Sequence, residues 1–129
     1  MQLFTWSDEY SVKNAEIDNQ HKKQFDILNR LFDICVGKNE VDTVDTLMQD
    51  LESYADYHFK FEEQHMRDVG YKDLDKHMVE HKFFTKEIMF AKRRQVHNKS
   101  ICDNKLIEFL SNWLIQHVTE EDRKYSVFN

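Results

Sequence analysis

The chain has 129 residues, the length of one domain able to bury its own core. It has no proline and two glycines, which argues against a loop-rich or all-β fold. With 33% charged and 40% hydrophobic residues it is not a disordered sequence. Its net charge of −6 speaks against nucleic-acid or anionic-membrane partners, and its seven histidines are an excess for this size.

Residues 1–17 read as an irregular arm whose Phe4, Trp6 and Tyr10 pack against the rest. The segment lacks the apolar h-region of a signal peptide. A first helix is predicted over 18–36, with Asp18 as N-cap. Phe25, Leu28, Leu31, Phe32 and Cys35 recur at helical steps, and Gly37 serves as the C′ residue. A second spans 41–68, carrying Leu47, Met48, Leu51, Tyr54 and Ala55, with Gly70 beyond its end. A third covers 74–96 through His77, His81, Phe84 and Ile88. A fourth covers 100–120 through Leu106, Phe109, Leu110, Trp113 and Leu114. The fold class is all-α: an up-down-up-down four-helix bundle in one domain, 1–129. No run of about 18 apolar residues exists, so no transmembrane helix is predicted. Cys35 and Cys102 show no metal-binding or redox spacing and read as reduced thiols, which with the missing leader predicts a cytoplasmic protein.

The histidines extend the apolar stripes. His21 lies one turn into the first helix. His58 and Glu62 on the second, and His77 and His81 on the third, are i, i+4 pairs, about 40° apart around the axis. The fourth helix ends with His117 and then Asp122. These groups are therefore aimed into the bundle core. Without a metal, five imidazoles and two carboxylates buried together would each need a partner or bear a desolvation cost.

Seven side chains are too many for one tetrahedral zinc, and a mixed imidazole/carboxylate set suits non-haem iron. Two octahedral irons offer twelve positions. Five histidines, two bridging carboxylates and one bridging oxygen fill about eleven of them, which leaves one position for a small diatomic ligand.

The stretches Ile17-Asp18-Asn19-Gln20-His21, His58-Phe59-Lys60-Phe61-Glu62-Glu63, His77-Met78-Val79-Glu80-His81 and Trp113-Leu114-Ile115-Gln116-His117-Val118-Thr119-Glu120-Glu121-Asp122, in this order, resemble the hemerythrin family in its single-domain bacterial form. The resemblance covers essentially the whole chain. It implies one iron held by His77, His81 and His117 and a second by His21 and His58, with Glu62 and Asp122 bridging beside an oxo or hydroxo group. Asp122, about 140° past His117 on an ideal helix, rests chiefly on the resemblance. The resemblance also implies that Leu114 and Trp113 line an O₂ pocket. The implied function is reversible O₂ binding for storage, transport, delivery or sensing, in a protein that is not an enzyme. A protein partner that receives the O₂ is not identified by the sequence.

Two departures stand out. His65 shares the face of His58 and Glu62 where the family usually has an apolar residue, and it reads as a gap-filler. Lys72 follows Tyr71 where a proline is common. His97, near a helix end, reads as a surface residue.

The main rival is a diiron redox enzyme of the ferritin-like kind, an oxidase, a peroxidase or an NO-reactive protein. Such sites use two Glu-x-x-His motifs, and this chain has one, Glu62-Glu63-Gln64-His65. The His77-Met78-Val79-Glu80-His81 stretch also matches the H-x-x-E-H pattern of inverzincin proteases, with Glu80 as base. That reading leaves His58, Glu62 and His117 without a role.

Overall fold

A computed structural model describes residues 5–98, 104–121 and 124, without the side chains of 94–98, 104–107, 120 and 121. It contains four α-helices: α1 (Ala15–Cys35), α2 (Val44–Asp68), α3 (Leu74–Asn98) and α4 (Asn104–Gln116). A short 3₁₀ turn, Asp8–Tyr10, precedes α1, and a π-helical turn, His117–Glu121, continues α4. The expected all-α four-helix bundle is the observed fold.

Side-chain pairings show that each helix runs opposite to the one before it. Between α1 and α2, Gln20 meets His58 while Arg30 meets Asp42. Between α2 and α3, Glu63 meets His81 while Glu52 meets Lys92. Between α3 and α4, His81 meets His117 while Phe84 stacks on Trp113. As one partner's number rises the other's falls, which is the signature of antiparallel neighbours.

The helix ends follow from local chemistry. Asn14, not Asp18, is the N-cap of α1, and its side chain accepts from the amides of Glu16 and Ile17. Asp18 sits in the first turn, where its carboxylate accepts from the Val12 amide and the Ser11 hydroxyl, tying the arm to the helix. Thr43 caps α2 through the Thr46 amide. Gly37 and Gly70 take φ of 77° and 71°, the left-handed conformation that lets the chain leave α1 and α2. After Gly70 the Tyr71 amide reaches back to the Met66 carbonyl, and after Gly37 the Lys38 amide reaches the Asp33 carbonyl. Carbonyls that the helix ends would leave unpaired are thereby satisfied.

The larger apolar cluster joins Leu28, Leu31, Leu47, Leu51, Phe84, Ile88, Leu110 and Leu114 with neighbours from all four helices. In the arm, Trp6 and Tyr10 pack on Phe25, with ring centroids 5.9 and 5.5 Å away. Phe4 lies outside the described residues. A smaller cluster, Val12, Ile17 and Met66, closes the other end of the bundle with Phe61, Tyr71 and Leu74. Between the two clusters lies a layer of buried polar groups, and no helix of the described residues is long and apolar enough to cross a membrane.

Cys35 is disulfide-bonded, which corrects the reduced-thiol expectation. Cysteines far apart in sequence carry no signal of proximity, because the fold decides which thiols meet. The chain's other cysteine, Cys102, lies outside the described residues. Cysteine usage therefore lends no support to a reducing compartment.

Candidate metal centre

The polar layer is built around one carboxylate. Glu62 is fully buried, and its two oxygens divide five imidazoles between them. Oε1 lies 3.1 Å from His77 Nε2, 2.9 Å from His81 Nε2 and 3.6 Å from His117 Nε2. Oε2 lies 3.3 Å from His58 Nε2 and 3.5 Å from His21 Nε2. All five imidazoles are at most 3% exposed. Two groups of donor atoms result, Glu62 with His77, His81 and His117, and Glu62 with His21 and His58. Within each group the atoms lie inside 4.8 Å of one another. Each group is sized for one cation, and Glu62 is common to both.

Hydrogen bonds on the outer side of the rings set which nitrogen faces inward. His81 Nδ1 lies 2.8 Å from Glu63 Oε2, and a carboxylate can only accept, so Nδ1 carries the proton. His117 Nδ1 faces Glu80 Oε2 at 3.4 Å in the same sense. His58 Nδ1 donates to Gln20 Oε1 at 2.6 Å. In a neutral ring the other nitrogen is then a lone pair. His81 Nε2 and His117 Nε2 are 3.1 Å apart, and Glu62 Oε1 lies beside both. Three acceptors turned toward one point repel unless a cation sits among them. The donor set fits a metal, and imidazole with carboxylate suits iron.

Burial raises the Glu62 carboxyl, but while the rings carry inner protons the charge of His58 and the hydrogen bonds from His117, His21 and His58 hold it well below the usual carboxylate range. With the rings neutral and their lone pairs inward, a cation among them would take over that role. The His117 hydrogen bond is the largest influence on the Glu80 carboxyl, which is held below its ordinary value against partial burial.

Aromatic faces lock two of the rings. Phe59 stacks on His81 with centroids 4.0 Å apart, and Trp113 stacks on His117 at 4.5 Å. Trp113 also borders a surface cavity of about 180 Å³ with Glu80, Gln116 and His117. Leu114 is 1% exposed and belongs to the larger apolar cluster.

Six of the seven candidate ligands from the sequence thus lie together: His21, His58, Glu62, His77, His81 and His117. Asp122 lies outside the described residues. A π-helical turn, His117–Glu121, begins at the last of these histidines. Thr119 Oγ1 bonds the Ile115 carbonyl at 2.7 Å where the turn forms. His65 is half-buried and outside both donor groups. The side chain of His97 is not described. Glu80 stands behind His117, on the far side of the ring from Glu62, which removes the geometry a protease base would need.

Sequence reasoning missed Gln20, Glu63, Glu80 and Phe59. Two of the three polar residues directly precede a ligand, and the third, Glu63, directly follows one. In sequence they look like ordinary solvated side chains. Only an outward-facing nitrogen, known from the fold, gives them a partner.

Comparison with known proteins agrees with this arrangement. The model of the hemerythrin HHE cation-binding domain matches residues 12–126. A bacteriohemerythrin of Clostridium acetobutylicum is 31% identical over 127 residues, covering 95% of this chain and 98% of that protein. A bacteriohemerythrin of Methylococcus capsulatus is 28% identical over 126 residues, covering 97% and 95%. The crystal structure of a wild-type hemerythrin superposes with a TM-score of 0.86 at 27% identity, covering 97% of this chain and 96% of that one. With the fold, the carboxylate-centred histidine layer and the family match in agreement, the chain belongs to the hemerythrin family.

Proposed function

We propose that this protein binds O₂ reversibly at a non-haem diiron centre and is a binding protein, not an enzyme. The observation that carries the reading is the three-and-two division of five imidazole nitrogens between the two oxygens of buried Glu62. One iron would be held by His77, His81 and His117 and the other by His21 and His58. Glu62 would bridge them, and Asp122 with an oxo or hydroxo group would complete the set. The iron pair, when bound, supplies the electrons that make O₂ uptake possible.

The chain's own part is to orient and to exclude. Glu63, Glu80 and Gln20 hold the outer nitrogens, so three rings present their lone pairs inward at no further ordering cost. Phe59 and Trp113 stop two rings from turning. Leu114, Phe84 and Ala55, each at most 1% exposed, lie one helical turn from ligands and keep water and protons away. The ferritin-like alternative gains nothing from the geometry, because His65 of its single Glu-x-x-His motif is outside both donor groups.

The test is optical. The reduced, iron-loaded protein should develop visible charge-transfer bands in air and lose them under argon through repeated cycles. Bands that never reverse, or steady O₂ consumption with added reductant, would contradict a carrier and favour a redox enzyme.

A further inference from the structure

One buried polar side chain is left over by the centre as described. Gln24 is 1% exposed, and among the described residues neither its Nε2 nor its Oε1 has a hydrogen-bond partner. It follows His21 by three positions, so it lies about 4.5 Å further along α1 on nearly the same face. Because the helices alternate in direction, the equivalent step from His58 leads back to Ala55, from His81 forward to Phe84, and from His117 back to Leu114. All four residues are buried. They form the layer directly against the ligand set, on the side of the larger apolar cluster. Ala55, Phe84 and Leu114 offer no polar atom, and Ala55 is small.

A primary amide in such a layer is a standing cost to the fold, since it has left water without regaining its bonds. It becomes useful when something polar arrives. We propose that the Gln24 amide N–H donates a hydrogen bond to the small exogenous ligand taken up by the centre. That ligand is a two- or three-atom molecule with exposed lone pairs, such as O₂ or azide. The assignment rests on the diiron reading above and deepens it. Gln24 makes the pocket wall selective for ligands that can accept a hydrogen bond, while Ala55, Phe84 and Leu114 keep bulk water out.

The experiment uses iron-loaded protein with azide as the probe, comparing the parent with Gln24→Met, which keeps the side chain's length, and Gln24→Leu as a second variant. Iron per chain is measured first. The parent azide complex should show an azide stretching band that moves between H₂O and D₂O. In either variant that isotope shift should vanish and azide should bind about tenfold more weakly, the worth of one charge-assisted hydrogen bond. Without azide, the variants should melt no lower than the parent, because a leftover amide has been removed. Two irons with unchanged azide affinity and isotope shift would overturn the assignment alone. So would a lower melting temperature in both ligand-free variants, which would show that Gln24 has a structural partner. A parent protein that holds no iron pair would overturn the diiron reading, and this assignment with it.

Discussion

Trp113 lies flat on the imidazole of His117, with ring centroids 4.5 Å apart and planes 12° from parallel. On its other face it stacks on Phe84 at 4.2 Å, so the indole is a spacer between the apolar core and His117. Held this way, His117 cannot rotate about its side chain without breaking an aromatic contact. Trp113→Ala should cost about 2–3 kcal/mol, less than a fully buried tryptophan because Trp113 is only partly buried. It should also speed iron loss to a chelator, whereas Trp113→Phe should restore most of the retention. Chelator-competition kinetics on the two variants is the check. Equal rates for all three proteins would leave the stack without a role.

The carboxylates behind the ligands should matter unequally. Glu63 lies 2.8 Å from His81 with its side chain 14% exposed, and Glu80 lies 3.4 Å from His117 with its side chain 30% exposed. The shorter, drier pair aligns its ring more strongly. Glu63→Gln should weaken iron binding by about 10–100-fold, the usual effect of losing a group that orients a ligand. Glu80→Gln should do less. Iron titration of the two variants tests the order, and a larger effect at Glu80 would reverse it.

Ligand and bystander histidines should separate. His58→Ala and His81→Ala each remove a nitrogen that faces Glu62, and both should lose iron or ligand binding. His65→Leu should keep two irons, because His65 lies outside both donor groups. Metal analysis of the purified variants decides it. An empty site in His65→Leu would move the ligand assignment on α2.

Leu114 is 1% exposed in the core cluster and three residues before His117. Leu114→Ala should cost about 2–5 kcal/mol yet leave the ligands in place. With that bulk gone, water and anions reach the centre, so the oxygenated protein should autoxidise several-fold faster and take up azide sooner. Stopped-flow decay measures this. Matching decay rates in a folded, iron-loaded variant would reduce Leu114 to core packing.

Far from the centre, Arg30 grips Asp42 through Nε at 2.9 Å and Nη2 at 2.6 Å, joined by Asn39 Nδ2 at 2.8 Å. The Arg30 hydrogen bonds first, then that of Asn39, hold the Asp42 carboxyl below its ordinary value. A carboxyl depressed in the folded state adds stability above its unfolded pKa, about 3.9, and loses it as pH falls through the folded value. Asp42→Asn should therefore be less stable than the parent at pH 7, with the gap closing in acid. Urea melts across that range test it, and a gap that persists in acid would refute the linkage.

Much of the fold could be read directly from the chain. His58/Glu62 and His77/His81 continue apolar stripes at helical spacing, and Gly37 and Gly70 stand where two helices must stop. Periodicity was silent about contacts that depend on three-dimensional placement. Asp18 looks like a cap by residue type, but Asn14 reaches the free amides first, and Asp18 is drawn to Val12 and Ser11. Glu63 and Glu80 are indistinguishable from solvated acids until a ring nitrogen is placed beside them. Gln24 breaks an apolar stripe in the sequence, and only burial turns that break into a question. The π-helical turn at His117 has no composition signal in the sequence.

If Glu62 joins two irons, Mössbauer spectroscopy of the oxidised, ⁵⁷Fe-loaded protein, with iron counted per chain, will show it. Two irons per chain are expected, with ferric spins that cancel and quadrupole doublets that stay non-magnetic in an applied field at low temperature. A single magnetically split ferric site, or a chain that takes up one zinc and no iron when iron is abundant, would contradict it.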